Sequence, residues 1–118
     1  MRIEKELMRG AGPVAVLKLL SKQEMYGYEL IEALARQSEG VLTMGQSTLY
    51  PLLYNLETKG LIEGDWREAD SGRERRYYRL TKKGKARLAK DVKQWQSLLQ
   101  TMRAMNIVPP LGPREVPA

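Results

Sequence analysis

The chain has 118 residues, a formal net charge of +6, and neither cysteine nor histidine. Disulfides, thiolate chemistry, imidazole bases and the usual zinc sites are therefore excluded together. No run of apolar residues approaches the ~18 of a membrane span and the charged start, MRIEKELMRG, does not read as a signal peptide, so a cytoplasmic protein of one domain plus an appended element is expected.

The first element in chain order is a helix over residues 3–20, with Ile3 and Leu7 beginning an apolar stripe that Val14, Val16, Leu17, Leu19 and Leu20 continue. Between the two parts lies Gly10-Ala11-Gly12-Pro13, which predicts a kink or a break. A turn over Ser21–Met25 follows. Tyr26-Gly27-Tyr28-Glu29-Leu30 then opens a second helix, to about Ser38, that buries Leu30, Ile31 and Leu34.

A third helix lies within Gln46–Lys59 and Gly60 stops it. At 100° per residue, Leu49, Leu52, Leu53 and Leu56 form one stripe. Ser47, Pro51, Tyr54 and Thr58 gather on the opposite side, with Tyr50 at its edge. That far face is polar, uncharged and partly aromatic, where an ordinary surface helix carries Lys and Glu. It suits a major groove: hydroxyls address base edges and phosphates, and tyrosine rings pack on sugars or thymine methyls. Packing of Tyr50 and Tyr54 on a neighbouring helix or subunit is the other reading. With Ser47 as N-cap, Pro51 falls in the first turn, where its missing N–H matters least.

Ile62–Glu68 and Glu74–Leu80 read as two strands around the loop Ala69-Asp70-Ser71-Gly72-Arg73. Strand alternation puts Glu74, Arg76 and Tyr78 on one face, and Arg75, Tyr77 and Arg79 on the other. Residues 65–90 hold ten basic and four acidic side chains, so the whole net charge sits there. Such a focused patch fits a polyanion, with Arg73, Arg75 and Arg76 beside a phosphate backbone or in a minor groove; a solubilising surface is the alternative. Lys82, Lys83 and Lys85 oppose the dipole of the helix they open, which points to another use for them.

Thr81 is the expected N-cap of a long fourth helix, to about Asn106. Leu88, Val92, Trp95, Leu99 and Met102 repeat every four and three residues, a coiled-coil seam of about two heptads. A small domain cannot readily cover that seam with its own residues. A twofold contact with a second copy covers it and presents two reading helices to a palindrome; packing on the chain's own first helix is the other solution. Trp95, Met102 and Met8 suit a planar apolar ligand, or else Trp95 fills the interface. The Pro-rich segment from Ile107 on is expected to be disordered.

The expected fold is thus mainly α with a small β-hairpin: a winged helix-turn-helix over 1–80, a C-terminal dimerisation helix over 81–106 and a tail over 107–118. Candidate DNA contacts are Gln46, Ser47, Thr48, Tyr50, Pro51, Tyr54, Thr58, Arg73, Arg75 and Arg76. Candidate dimer or effector residues are Met8, Leu88, Val92, Trp95, Leu99 and Met102. No cofactor, metal or membrane is called for. A winged helix that binds protein instead of DNA, and a carboxylate-only hydrolase, are the competing functions.

Three stretches together, YGYEL (26–30), STLYPLLYNLETKGLI (47–62) and GRERRYYRLTKKG (72–84), resemble the PadR family of bacterial transcriptional regulators. The resemblance covers residues 5–105. It implies a non-enzymatic winged-helix repressor that dimerises through its C-terminal helix, in the short form with one such helix. In some short-form members an aromatic residue on that helix lines an effector cavity at the dimer interface, and Trp95, counted from Gly84, matches its position. Gly45-Gln46-Ser47 stands where many members have Ser-Pro-Gly.

Overall fold

The computed structural model describes residues 1–110. The elements run α1 (Lys5–Lys22), β1 (Met25–Tyr26), α2 (Gly27–Gln37), α3 (Gln46–Thr58), β2 (Ile62–Glu68), β3 (Glu74–Leu80) and α4 (Lys82–Ala104). The chain divides into two compact units, Met1–Leu88 and the segment that starts at Ala89.

In the first unit, α1 is one continuous helix, so of the kink or break expected at Gly10–Pro13 the break does not occur. Proline removes a single intrahelical bond, the one Arg9 would accept. Met8, Gly12, Val16 and Leu20 lie four residues apart and are all buried. Burying three large apolar side chains there, at roughly 1.5–3 kcal/mol each, outweighs one lost hydrogen bond. The core joins this stripe to Leu30 and Leu34 of α2, to Leu49, Leu53 and Leu56 of α3, and to Leu61, Ile62, Tyr78 and Leu88.

The hairpin expected from the sequence is present, with Ile62 opposite Leu80 and Glu68 opposite Glu74. A third strand was not expected: β1, inside the segment read as a turn, pairs antiparallel with β3 through Met25–Tyr78 and Tyr26–Tyr77, giving the order β1-β3-β2. Two residues are too few to show an alternation, so pairing alone defines this strand.

Gly60 closes α3 with φ +74°. Its N–H donates to Glu57 O and that of Leu61 to Leu56 O, a paired closure that only the left-handed conformation allows. Thr81 caps α4 as expected, accepting from Gly84 N–H at 3.0 Å, and its hydroxyl donates to Gly60 O at 2.7 Å. Gly84 is pressed on the backbone here; a Cβ on it would collide with Leu61 O. Lys83, whose place at a helix N-terminus was puzzling, donates to Lys59 O at 2.8 Å and so satisfies the C-terminus of α3.

The second unit contains α4 from Ala89 to Ala104. The helix stops two residues short of the expected Asn106, which adopts φ +61°. Val92, Trp95, Leu98 and Leu99 on this stretch are all exposed, Trp95 at 40%. The tail expected to be disordered lies, from residue 111 on, outside the described residues.

Candidate nucleic-acid interface

The exposed side of α3 is the one read from the sequence. Leu49, Leu53 and Leu56 are buried, while Gln46, Ser47, Thr48, Tyr50, Pro51, Tyr54 and Thr58 are all exposed. Glu57, half-buried, is the helix's one carboxylate, and Lys59 follows its end, so the exposed face carries no charge.

The cap differs from the expectation. Gly45, not Ser47, is the N-cap, and no side chain bonds the first N–H groups. Gly45 O accepts instead from Thr48 and Leu49 N–H. Pro51 therefore falls in the second turn, where it deprives the carbonyl of Ser47 of its partner; Ser47 is exposed, so water can serve. The missing side-chain cap has a chemical consequence. The N–H groups of Gln46 and Ser47 are left for an external acceptor, as in anion binding at helix N-termini.

The two tyrosines separate. Tyr54 is 75% exposed. Tyr50 is 43% exposed and its ring lies on the start of α2, with Oη 2.5 Å from the point where a Cβ of Gly27 would stand. Glycine at 27 is what permits that contact. Tyr50 thus braces α3 on α2, and Tyr54 is free to reach outward.

Beside α3 the hairpin has two unlike faces. Arg76 and Tyr78 belong to the face turned to α3: Arg76 Nη2 donates to Glu57 Oε2 at 2.8 Å, and its guanidinium lies near the rings of Trp66 and Tyr78. Glu57 raises the pKa of Arg76, and burial raises that of Tyr78. On the opposite face Arg79 bonds Asp65 and Glu63, and Arg67 bonds Glu24 and Asp65. Hydrogen bonds from Arg67 and then Arg79 hold the Asp65 carboxyl below its ordinary value. Arg75 lies directly across from Arg67 in the ladder, an unfavourable like-charge pair. Arg67 turns to its carboxylates, and Arg75 settles 4.4 Å over the ring of Tyr26.

Arg73, at the loop, is exposed, and neither it nor Arg75 has a carboxylate partner among the described residues. Both line an open cleft of about 740 Å³ between the hairpin and the N-terminal ends of α2 and α3, whose walls include Gln46, Tyr50 and Trp66. Trp66 and Tyr28, both exposed here, were not among the sequence candidates. Their signal was present, an aromatic on a strand and one at a helix start, but both types also occur in cores. Met8 and Leu88, read as dimer or effector residues, are buried in the first unit's core. Val92, Trp95 and Leu99 are exposed, and Met102 is half-buried. Among the described residues no His, Cys, Asp or Glu cluster could hold a metal, and no helix is long and apolar enough to cross a membrane.

Helices α2 and α3, with the strand–loop–strand wing beside them, define a winged helix-turn-helix protein. Comparison with known proteins agrees. The family model described as "Transcriptional regulator PadR-like family" matches residues 16–90. The chain is 35% identical to Transcriptional regulator Rv3488 of Mycobacterium tuberculosis over 94 residues, 80% of this chain and 84% of that one. The crystal structure of a Streptococcus transcriptional regulator superposes with a TM-score of 0.75 at 35% identity, over 87% of this chain and 99% of the other. That of a PadR family regulator from Eggerthella lenta gives 0.74 at 35% identity over 85% of both. The chain belongs to the PadR-like family of transcriptional regulators, and it is not an enzyme.

Proposed function

We propose that this protein is a cytoplasmic repressor that binds a palindromic DNA operator as a homodimer and is released by a planar, apolar effector at the dimer interface. The carrying observation is the uncharged exposed face of α3 next to two arginines without carboxylate partners. Gln46, Ser47, Thr48, Pro51 and Tyr54 enter the major groove, with Tyr50 and Thr58 at its edges. Arg73 and Arg75 hold the backbone, and Arg76 positions the wing on α3 through Glu57. Residues 1–80 form the reading domain.

Residues 81–106, with α4 as their helix, form the dimerising segment. The exposed side chains Val92, Trp95 and Leu99 support this, since apolar groups at heptad spacing call for a matching partner. Met102, half-buried, extends the seam, whereas Met8 and Leu88 are taken up by the first unit's core. Trp95 is the effector's stacking surface.

A mobility-shift assay on DNA upstream of the protein's own gene tests the reading. A salt-sensitive shift is expected, and it should be lost on charge reversal of Arg73 and Arg75. Absence of any shift, there and on palindromes selected from random DNA, overturns it and favours a protein-binding winged helix. Sedimentation of a Leu99→Asp variant should show monomer where the native protein shows dimer. Quenching of Trp95 fluorescence by planar aromatic compounds, with Trp66 replaced, tests the effector site.

A further inference from the structure

A second cleft, of about 420 Å³, opens on the other flank of α3, between it and the first turns of α1. Lys5 and Arg9 stand on its α1 side, Thr48, Pro51 and Asn55 on its α3 side, and Met8 in its wall. No carboxylate lines it. Lys5 and Arg9 are exposed, and neither forms an ion pair among the described residues. They are one turn apart on the same side of α1, separated by about 6 Å of rise.

Two clefts thus flank the α3 face, and each carries unpaired cations. A helix is about 10–12 Å across and the major groove about 12 Å wide, so a helix seated in that groove has a phosphate backbone close on each side. The wing cleft, with Arg73 and Arg75, serves one backbone. We infer that the α1–α3 cleft receives the other, with Lys5 and Arg9 on its phosphates and the Pro51 ring against its sugars. This rests on the DNA-reading role of α3 proposed above. Charge complementarity and continuity with the α3 face single out DNA as the occupant: Thr48 and Pro51 belong to the reading face and to the cleft wall at once.

Backbone contacts add affinity without sequence information, and each makes binding more salt-dependent. The probe is a duplex selected by the native protein from random-sequence DNA, with affinity followed by fluorescence anisotropy from 50 to 200 mM salt. For each protomer bound, a Lys5→Gln/Arg9→Gln variant should flatten the slope of log K against log salt by about 1.8. The fourfold rise in salt then weakens the variant about twelvefold less than the native protein. Reselection with the variant should return the same sequence. A Lys5→Arg/Arg9→Lys variant should restore the slope, which separates loss of charge from loss of fold. An unchanged slope in the glutamine variant, alongside a reduced one in Arg73→Gln/Arg75→Gln, overturns this inference and leaves the reading role of α3 standing. A changed oligomeric state with an unchanged slope assigns the cleft to a second copy of the chain and also overturns it. If the native protein binds no duplex with salt dependence, the reading role itself falls.

Discussion

Arg67, Arg76 and Arg79 lie on the same hairpin as Arg73 and Arg75, yet the two sets do different things. The first three are held by Glu24, Asp65, Glu57 and Glu63, and their charge is answered within the fold. The other two have no carboxylate partner among the described residues and border the cleft beside α3. A dense run of basic residues therefore overstates the charge a partner can meet. What divides the run is strand register together with what each hairpin face packs on. Arg79 sits across from Glu63, whereas Arg75 sits across from Arg67.

The arginines without carboxylate partners carry the largest expected effect. Reversing Arg73 and Arg75 to Glu should lower DNA affinity by roughly two orders of magnitude, as attraction to phosphate becomes repulsion. Arg73 is exposed, and Arg75 gives up only its stacking on Tyr26, worth about 0.5–1 kcal/mol, so the thermal midpoint should move by only a few degrees. Anisotropy titrations beside a thermal melt read both. A large drop in the midpoint would mean these arginines belong with the structural set.

Arg76→Ala should show the reverse weighting. It leaves Glu57 half-buried without its partner, at a cost of about 1 kcal/mol, which lowers the midpoint by about 4–8 °C. A double-mutant cycle with Glu57→Gln should give a coupling of about 0.5–1 kcal/mol. Any loss of DNA affinity should follow from a loosened wing and so appear in Glu57→Gln as well.

The tyrosines sharpen the same contrast on α3. Tyr54→Ala should alter which sequences are bound and leave the melt nearly unchanged, because Tyr54 is 75% exposed. Tyr50→Ala should lower the midpoint through the contact with Gly27, and reselection from random DNA should distinguish the two variants.

The smallest effect is that of pH on the carboxylate set. Asp65 has a folded pKa below its ordinary 3.8, so its contribution is present above that value and is lost as pH falls through the folded one. Replacing Asp65 with Asn should therefore remove that small contribution at pH 7 and flatten the pH dependence of stability below about pH 4. Melts in citrate at about pH 3, beside melts at pH 7, read the difference.

Much of this was legible because it is local. Apolar residues spaced three and four apart marked α2, α3 and α4, and strand-preferring residues on either side of a Gly-containing loop marked β2 and β3. The α3 pattern alone separated buried leucines from the uncharged face. The features that were not legible join residues distant in the chain: the Arg76–Glu57 pair, the Lys83 bond to Lys59 O and the pairing of β1 with β3. No local pattern announces such partners. The N-cap at Gly45 escaped because a side-chain hydroxyl at 47 is the usual signal and here it is not used.

By itself the sequence determined the order of the four helices and the hairpin, the polar face of α3 and the location of the positive charge, since each depends on neighbours a few residues away. Only the tertiary structure decided that α1 runs unbroken through Pro13, that Tyr50 braces while Tyr54 projects, and which arginines face outward. Burial and register are properties of the packed chain: a guanidinium is answered or left open according to which carboxylate the fold brings beside it.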